Sequence, residues 1–289
     1  MSLIASLPWY DLPVRQPKLD AFWSVLRNEL HRLSAPLLPD RLPLPETLNR
    51  HTPLVEQWAH PALLLSQCCG PDLFTPQAQE LVPIARPVFA DLDGTPGQYF
   101  SHIVTARGRE HRGSGRFVIN SASSRSGGAA LFEWAAASGI DCDQVLISGA
   151  HASSLDYLRH GWADLAAIDA HSWPLLDTRG ITIIGRSTEA PTPPFVMHRC
   201  SPIGAALIRT ALDCAIEQAG ASIQIAELMN INGQTYQPMT APWHISLPAG
   251  AGGISCATAH PSLSAGQRMS VDPEPVPGNG SLIPIGSLK

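Results

Sequence analysis

The feature that most constrains the fold of this chain is the alternation of short apolar strands with helical segments through its middle. Residues 144–147 and 164–168 are predicted as buried strands, and residues 153–160, capped by Ser153 or Ser154, as a helix between them. Strands that alternate with helices favour parallel α/β sheets, because each helix carries the chain back across the sheet. We therefore expect an α/β fold.

Hydrophobic periodicity predicts further elements on both sides of this region. They are strands at 3–7, 62–66, 81–89, 99–106, 117–119 and 181–185, and helices at 19–33, 54–58, 129–137, about 172–177 and 203–219.

The segment 120–128 (Asn-Ser-Ala-Ser-Ser-Arg-Ser-Gly-Gly) lies between an apolar strand and a strong helix former, and it holds four Ser and two Gly. The first N–H groups of a helix have no partner inside the helix, and the helix dipole is positive at that end. Together with Ser hydroxyls they favour an anion. A plain N-cap is the alternative interpretation, but a cap needs only one Ser.

Composition excludes several classes of function. The chain has 289 residues, enough for one large or two modest domains, with 44% hydrophobic residues and a net charge of −5. No basic block is present, which argues against nucleic acid as a partner. The six Cys form no C-x-x-C pair and no zinc-like spacing, and no apolar run approaches 18 residues, so neither a metal site nor a membrane span is predicted. The first residues have no basic region and no long apolar core, so no signal peptide is predicted.

Small or polar groups recur where predicted strands end, which is where ligands bind in open α/β sheets. They lie at 8–11, 66–70, 123–128, 149–151 and 169. His151 is either a ligand contact or a turn residue, and Asp169 either a ligand contact or a helix cap. Tyr10 is either a ligand contact or a packing aromatic. Arg125 is the less favoured candidate for facing an anion.

Several of these motifs occur together in one known family. They are Ser6-Leu-Pro-Trp-Tyr-Asp11, Leu63-Leu-Leu-Ser-Gln-Cys-Cys-Gly70, Gly97-Gln-Tyr-Phe-Ser101, Ser124-Arg-Ser-Gly127, Ser148-Gly-Ala-His151 and Ala163-Asp-Leu-Ala-Ala-Ile-Asp169. In this order they resemble the phosphate/phosphite/phosphonate substrate-binding proteins of ABC transporters, which have a type 2 periplasmic-binding fold. The resemblance spans about residues 3–247.

The resemblance implies two α/β lobes around a cleft, with the chain crossing between them twice. Lobe 1 would combine 1–94 with 188–248, lobe 2 would be 95–187, and we expect 249–289 to be a disordered tail. The ligand-binding residues implied by the resemblance are Tyr10, Gln67, Tyr99, Ser124, Ser126, Gly127, His151 and Asp169. It implies no cofactor.

The function predicted from this resemblance is binding of a small oxyanion such as phosphate, phosphite or a phosphonate, without covalent chemistry. An ABC permease partner and a periplasmic location would follow, although the missing signal peptide keeps a cytoplasmic ligand sensor as an alternative. A second alternative is an enzyme acting on a thiamin-like pyrimidine, with Cys68 or Cys69 as nucleophile and His151 and Asp169 as its partners. Cys is often buried and inert, which argues against that reading.

Overall fold

The structure is a computed structural model that describes residues 3–36, 43–109 and 113–239. The tail expected at 249–289 lies outside the described residues. The strands are β1 (Ile4–Ala5), β2 (Leu63–Gln67), β3 (Leu81–Phe89), β4 (Gln98–Tyr99), β5 (Ser101–Ala106), β6 (Ser114–Ile119), β7 (Asp141–Ile147), β8 (Leu165–Asp169), β9 (Ile181–Arg186), β10 (Ala190–Pro191), β11 (Phe195–His198) and β12 (Ile225–Met229). The helices are α1 (Gln16–Ser34), α2 (Leu54–Trp58), α3 (Ala130–Ala137), α4 (His151–Arg159) and α5 (Ala205–Ala219).

Lobe 1 is built on a sheet with the strand order β1-β2-β11-β3-β12. Only the β1–β2 pair is parallel; β11 runs antiparallel to β2 and β3, and β12 antiparallel to β3. Helix α1 buries Phe22, Trp23 and Leu26 at the apolar spacing of its sequence, and its core is shared with α5 through Ile208 and Leu212. The amphipathic pattern of both helices therefore predicts the face that packs on the sheet.

Lobe 2 is built on a second sheet with the order β7-β6-β8-β5-β9. Neighbouring residues of β6 serve opposite faces of this sheet, as the two-residue period of a strand requires. Phe117 packs with Leu131 of α3, whereas Val118 packs with Leu155 and Leu158 of α4. The central strands are therefore apolar on both sides, which explains their continuous hydrophobic sequences.

Both sheets are mixed, so the prediction of parallel sheets is wrong in part. In lobe 2, β6 is parallel to β7 and β8, but β5 runs antiparallel to both β8 and β9. The chain enters lobe 2 along β5 and leaves it along β9. A strand buried on both faces has the same sequence pattern in either direction, so the pattern cannot give the orientation.

The two crossings between the lobes pair with each other as a two-stranded antiparallel sheet, in which β4 lies against β10. Tyr99 is opposite Ala190, and Gln98 is opposite Pro191. Thr192 ties this ribbon to lobe 1 by donating its hydroxyl to the carbonyl of Pro87 at 2.7 Å. The ribbon joins the lobes, and its position next to both sheets suits a hinge.

The structure confirms the predicted helix at 54–58 and the predicted strand at 81–89 to the residue. The helix predicted at about 172–177 is wrong, since only a 3-10 turn, Trp173–Leu175, forms there. The backbone becomes extended at Leu176, which leaves too short a segment for an α-helix. Helix α4 starts earlier than predicted, with Ala150 as its N-cap.

The predicted caps Ser153 and Ser154 therefore lie inside α4, where Ser154 hydrogen-bonds the hydroxyl of Ser148 at 2.7 Å. Strands β11 and β12 were not predicted from the sequence. Among the described residues, no helix combines the length and the hydropathy needed to cross a bilayer.

Candidate functional site

The Ser-rich segment forms the start of a helix, as its sequence predicts. Ser124 is the N-cap, and its hydroxyl accepts a hydrogen bond from the N–H of Gly127 at 2.9 Å. The first turn, Arg125–Ala129, is π-helical and continues directly into α3. The N–H groups of Gly128 and Ala129 both donate to the Ser124 carbonyl, at 3.1 and 3.0 Å. Ser124 thus has the capping role that was the alternative to ligand binding.

Gly127 is required here by close packing. A methyl group at this position would overlap the side-chain oxygen of Asn120 and would lie 3.2 Å from Cε1 of His151. That oxygen of Asn120 is buried and has no hydrogen-bond partner among the described residues. The helix start therefore packs closely against the end of β6 and the start of α4. This packing places His151 at the site.

Hydroxyl groups from three elements meet at Ser126. Its Oγ lies 3.3 Å from Nε2 of His151, and the Ser101 hydroxyl donates to the Ser126 carbonyl at 2.9 Å. The buried Tyr99 hydroxyl also faces Ser126, and burial raises the pKa of Tyr99 well above its usual value. Burial lowers the pKa of His151 to about 4, so His151 is neutral at pH 7. The structure therefore brings Tyr99, Ser126 and His151 together as neutral hydrogen-bonding groups.

Arg125 does not face the helix start. Its guanidinium makes a bidentate ion pair with Glu133, about two helical turns further along, at 2.7 and 2.8 Å. It also donates to the Thr188 hydroxyl at 3.3 Å, in the segment that leads back to lobe 1. Glu133 therefore neutralises the charge of Arg125 in this structure, which agrees with its place as the less favoured candidate for facing an anion.

Lobe 1 places two titratable groups opposite the helix start. The thiol of Cys69 faces the N–H of Arg125; burial, with a smaller contribution from Asp72, raises the pKa of this thiol to about 12. The carboxyl of Asp72 faces the Ser123 hydroxyl, and burial raises its pKa to about 6. Asp72 was not among the predicted site residues. The only sequence signal for it is its place just after the strand-end motif that finishes at Gly70.

A second polar contact joins the lobes at the end of β8. The Tyr10 hydroxyl donates to Oδ2 of Asp169 at 3.0 Å, and the N–H of Ser172 donates to Oδ1 at 3.0 Å. Asp169 is thus both a cap and a contact across the cleft. Burial raises the pKa of Asp169, and it raises that of Tyr10 well above the usual value, with Asp169 adding to the effect.

The backbone around Tyr10 is unusual, because Tyr10 has a positive φ of 70°. Non-glycine residues in this region are uncommon and are enriched at ligand sites. Next to it, the N–H of Trp9 donates to the side-chain oxygen of the buried Gln67 at 3.2 Å. Gln67 therefore fixes the loop that presents Tyr10.

The predicted catalytic arrangement of Cys, His and Asp is not assembled in the structure. Cys68 is fully buried, and burial raises its pKa well above the usual value for a thiol. The hydrogen bonds described for His151 and Asp169 go to Ser126, Tyr10 and Ser172 instead. Within the described residues there is also no group of three or more His, Cys, Asp or Glu side chains placed to hold a metal.

Two places beside the predicted site residues leave almost no free space. Around Tyr99, Arg125 and Ser126 the described residues leave no room for a water molecule. A cavity of about 20 Å³ lies beside Tyr10 and Gln67, which is room for about one water. Neither of these two places holds a solute larger than water in this arrangement of the lobes.

Comparison of the sequence with protein-family models and with curated proteins finds no match. Solved structures do match the fold. PhnD1 from Prochlorococcus marinus in complex with methylphosphonate has a TM-score of 0.57 and 15% identity, over 82% of this chain and 95% of that chain. A binding protein component of an ABC phosphonate transporter from Pseudomonas aeruginosa has a TM-score of 0.58 and 13% identity, over 82% and 84%.

A third solved structure is described as having the periplasmic binding protein fold. A conserved Candida albicans protein, which defines a new family with the generic periplasmic binding protein fold, has a TM-score of 0.52 and 10% identity, over 77% of this chain and 73% of that chain. At these identities the likeness concerns the fold alone. The chain therefore has the two-lobed α/β fold of periplasmic binding proteins, as its sequence motifs imply.

Proposed function

We propose that this protein is a solute-binding protein for a small oxyanion such as phosphate, phosphite or a phosphonate. The observation that carries the proposal is the position of the helix start at Ser124–Gly127, which lies at the junction of the lobes and collects the hydroxyls of Tyr99 and Ser126. Helix N–H groups and hydroxyls suit a tetrahedral oxyanion, because they donate without adding a net charge.

The solute would take the place that Cys69 and Asp72 occupy when the lobes are closed. Tyr10, Gln67 and Asp169 would form the remaining wall, and His151 would position Ser126. In this proposal the lobes divide at 94/95 and 187/188, close to the ribbon of β4 and β10. Ser124 contributes by capping the helix that presents the N–H groups.

The likeness to binding proteins of ABC phosphonate transporters supports a permease as partner and a periplasmic location. We propose binding without a covalent step, because the raised pKa of Cys69 leaves almost no thiolate at neutral pH. Rapid alkylation of Cys69 that a bound solute prevents, together with turnover of that solute, would support the enzyme alternative instead.

Calorimetric titration with methylphosphonate, phosphate, phosphite and sulfate tests the proposal. At least one of the phosphorus oxyanions should bind. Ser126→Ala should weaken its binding by about 1–3 kcal/mol, the usual cost of losing a donor to a charged group. Ser138→Ala, at the other end of the same helix, is the matched control and should bind normally. Equal affinity of the Ser126→Ala variant and the unmodified protein would contradict the proposed site.

A further inference from the structure

His171, a residue of lobe 2 that follows β8, is inserted into a socket on lobe 1. It is 1% exposed, and its ring stacks on Phe89 with the centroids 3.9 Å apart and the planes at 10°. Tyr10 packs edge-on against the same ring at 4.5 Å. The ring is therefore held by aromatic groups from two segments of the other lobe, β3 and the loop after β1.

Both nitrogens of the His171 ring bond to charged groups of lobe 1. Nδ1 lies 2.7 Å from Oδ1 of Asp91, and Nε2 lies 2.5 Å from Nη1 of Arg15. Arginine only donates hydrogen bonds, so Nε2 accepts and Nδ1–H donates to Asp91. Asp169, on the same segment as His171, is the other charged group of this cluster. The ring thus bridges a cation and a carboxylate of lobe 1.

Insertion of His171 into the socket competes with solute binding, because the solute binds only to molecules in which the lobes are open. While His171 is inserted, the Cys69 thiol faces the N–H of Arg125 and the Asp72 carboxyl faces the Ser123 hydroxyl, so groups of lobe 1 occupy hydrogen-bond donors of the helix start. Each lobe therefore fills the binding surface of the other. A solute gains access only from the fraction of molecules in which these contacts are broken, and its apparent rate of binding falls with that fraction.

We propose that His171, with Arg15 and Asp91, is an autoinhibitory latch that holds the ligand-free protein closed. The latch keeps the helix start covered until thermal opening releases the ring from its socket. Its effect on solute binding rests on the proposed function, but its effect on the shape of the ligand-free protein does not.

Small-angle X-ray scattering of the ligand-free full chain tests the latch directly. His171→Ala and Asp91→Ala should increase the radius of gyration, since each removes hydrogen bonds across the lobes. Asp91 lies on an accessible loop, so its substitution leaves the core intact. His171→Gln should stay as compact as the unmodified protein, because the glutamine amide can both accept from Arg15 and donate to Asp91. The control is His60→Ala, in the turn that follows α2, and it should also stay compact. Unchanged scattering from both alanine variants would overturn the latch.

Stopped-flow binding of methylphosphonate gives the second readout. Asp91→Ala should bind roughly tenfold faster, the change expected when one charge-assisted hydrogen bond no longer holds the closed form. An association rate that is equal or slower in this variant would contradict autoinhibition. If no variant binds methylphosphonate, phosphate or phosphite but the alanine variants still expand, the proposed function and the autoinhibition fail, whereas the role of His171 in holding the lobes closed stands.

Discussion

Asp72 illustrates how much of the site depends on contacts between residues far apart in the sequence. Its carboxyl has a pKa raised from 3.8 to about 6 because it is buried in the folded chain, although the Ser123 hydroxyl and the N–H of Cys69 lower it in part. In the sequence it is an ordinary Asp after Gly70-Pro71. Only the folded chain gives this residue an unusual proton affinity.

The first prediction concerns the pH dependence of stability through Asp72. Because the folded-state pKa is above the unfolded value, the stability that Asp72 contributes is present below about pH 4 and is lost as pH rises through about 6. Asp72→Asn should therefore be more stable at pH 7.5 than the unmodified protein, by about 2–3 kcal/mol. Urea unfolding at pH 4.5 and 7.5 measures this difference.

Asp143→Asn is the control for this experiment. Asp143 lies on β7 and hydrogen-bonds Ser114 at 2.9 Å, away from the junction of the lobes. Its substitution should leave the difference in stability between the two pH values unchanged. If Asp72→Asn also leaves that difference unchanged, burial of the Asp72 carboxyl is not what determines it.

At the residue scale, prediction from the sequence succeeds where the local conformation strongly favours one type of residue. The positions of Ser124 and Gly127 at a helix start follow from capping preferences and from the need for a small residue. Whether a given side chain also touches a solute stays a prediction for all eight proposed residues. Arg125 shows why: its sequence neighbours suit an anion, but its charge is used by Glu133.

At the scale of elements, the π-helical first turn places the start of α3 at the site. It widens the helix start so that two N–H groups share the carbonyl of Ser124. Gly127 then fits against Asn120 of the β6 end without a side chain between them. The helix start can approach the strand end this closely only with glycine at that position.

The second prediction tests this packing with Gly127→Ala. The added methyl group must displace Asn120, so we expect a loss of about 1–3 kcal/mol in stability, typical of overpacking, together with weaker oxyanion binding. Gly204→Ala is the matched control, because a methyl group there meets nothing within 4 Å. Thermal unfolding of the two variants gives the comparison. The double substitution Asn120→Ala with Gly127→Ala should recover part of the lost stability, and no recovery would mean that Asn120 is not the obstacle.

The existence of most elements followed from periodicity, but several of their boundaries and the strand directions did not. Helix α1 and strand β3 have long, regular apolar patterns and were predicted correctly. Strands β11 and β12 are short, and they gain their stability from pairing with β3 on its two sides. A pattern of four or five apolar residues is too short to identify such strands before the partner is known.

At the scale of the whole molecule, the last described residues return to the junction of the lobes. The Tyr236 hydroxyl donates to the carbonyl of Thr192 in the ribbon between the lobes at 2.6 Å. The side chains of Tyr236 and Met239 also cover Gly70, at the end of the loop that carries Cys69. This segment therefore supports both the hinge and lobe 1's side of the site.

The third prediction separates this segment from the residues after it. Tyr236→Phe removes one buried hydrogen bond and should cost about 1 kcal/mol, which corresponds to a decrease in Tm of about 2–4 °C for a chain of this size. Deletion of 250–289 should leave Tm nearly unchanged, because this segment is rich in Gly, Ser, Pro and Ala and its sequence has no helical or strand periodicity. Scanning calorimetry of both variants checks this. A decrease in Tm on deletion larger than that of Tyr236→Phe would mean that these residues join the core.

By itself, the sequence determined the class of the fold, the position of the helix start, and the polar strand ends that meet around it. These features are local, since they depend on apolar periodicity, capping and the small size of glycine. The tertiary structure alone decided the strand directions, the pairing of β4 with β10, and the insertion of His171 among Phe89, Arg15 and Asp91. The residues in these contacts lie about 80 to 156 positions apart, so their free energy appears only when the folded chain brings them together.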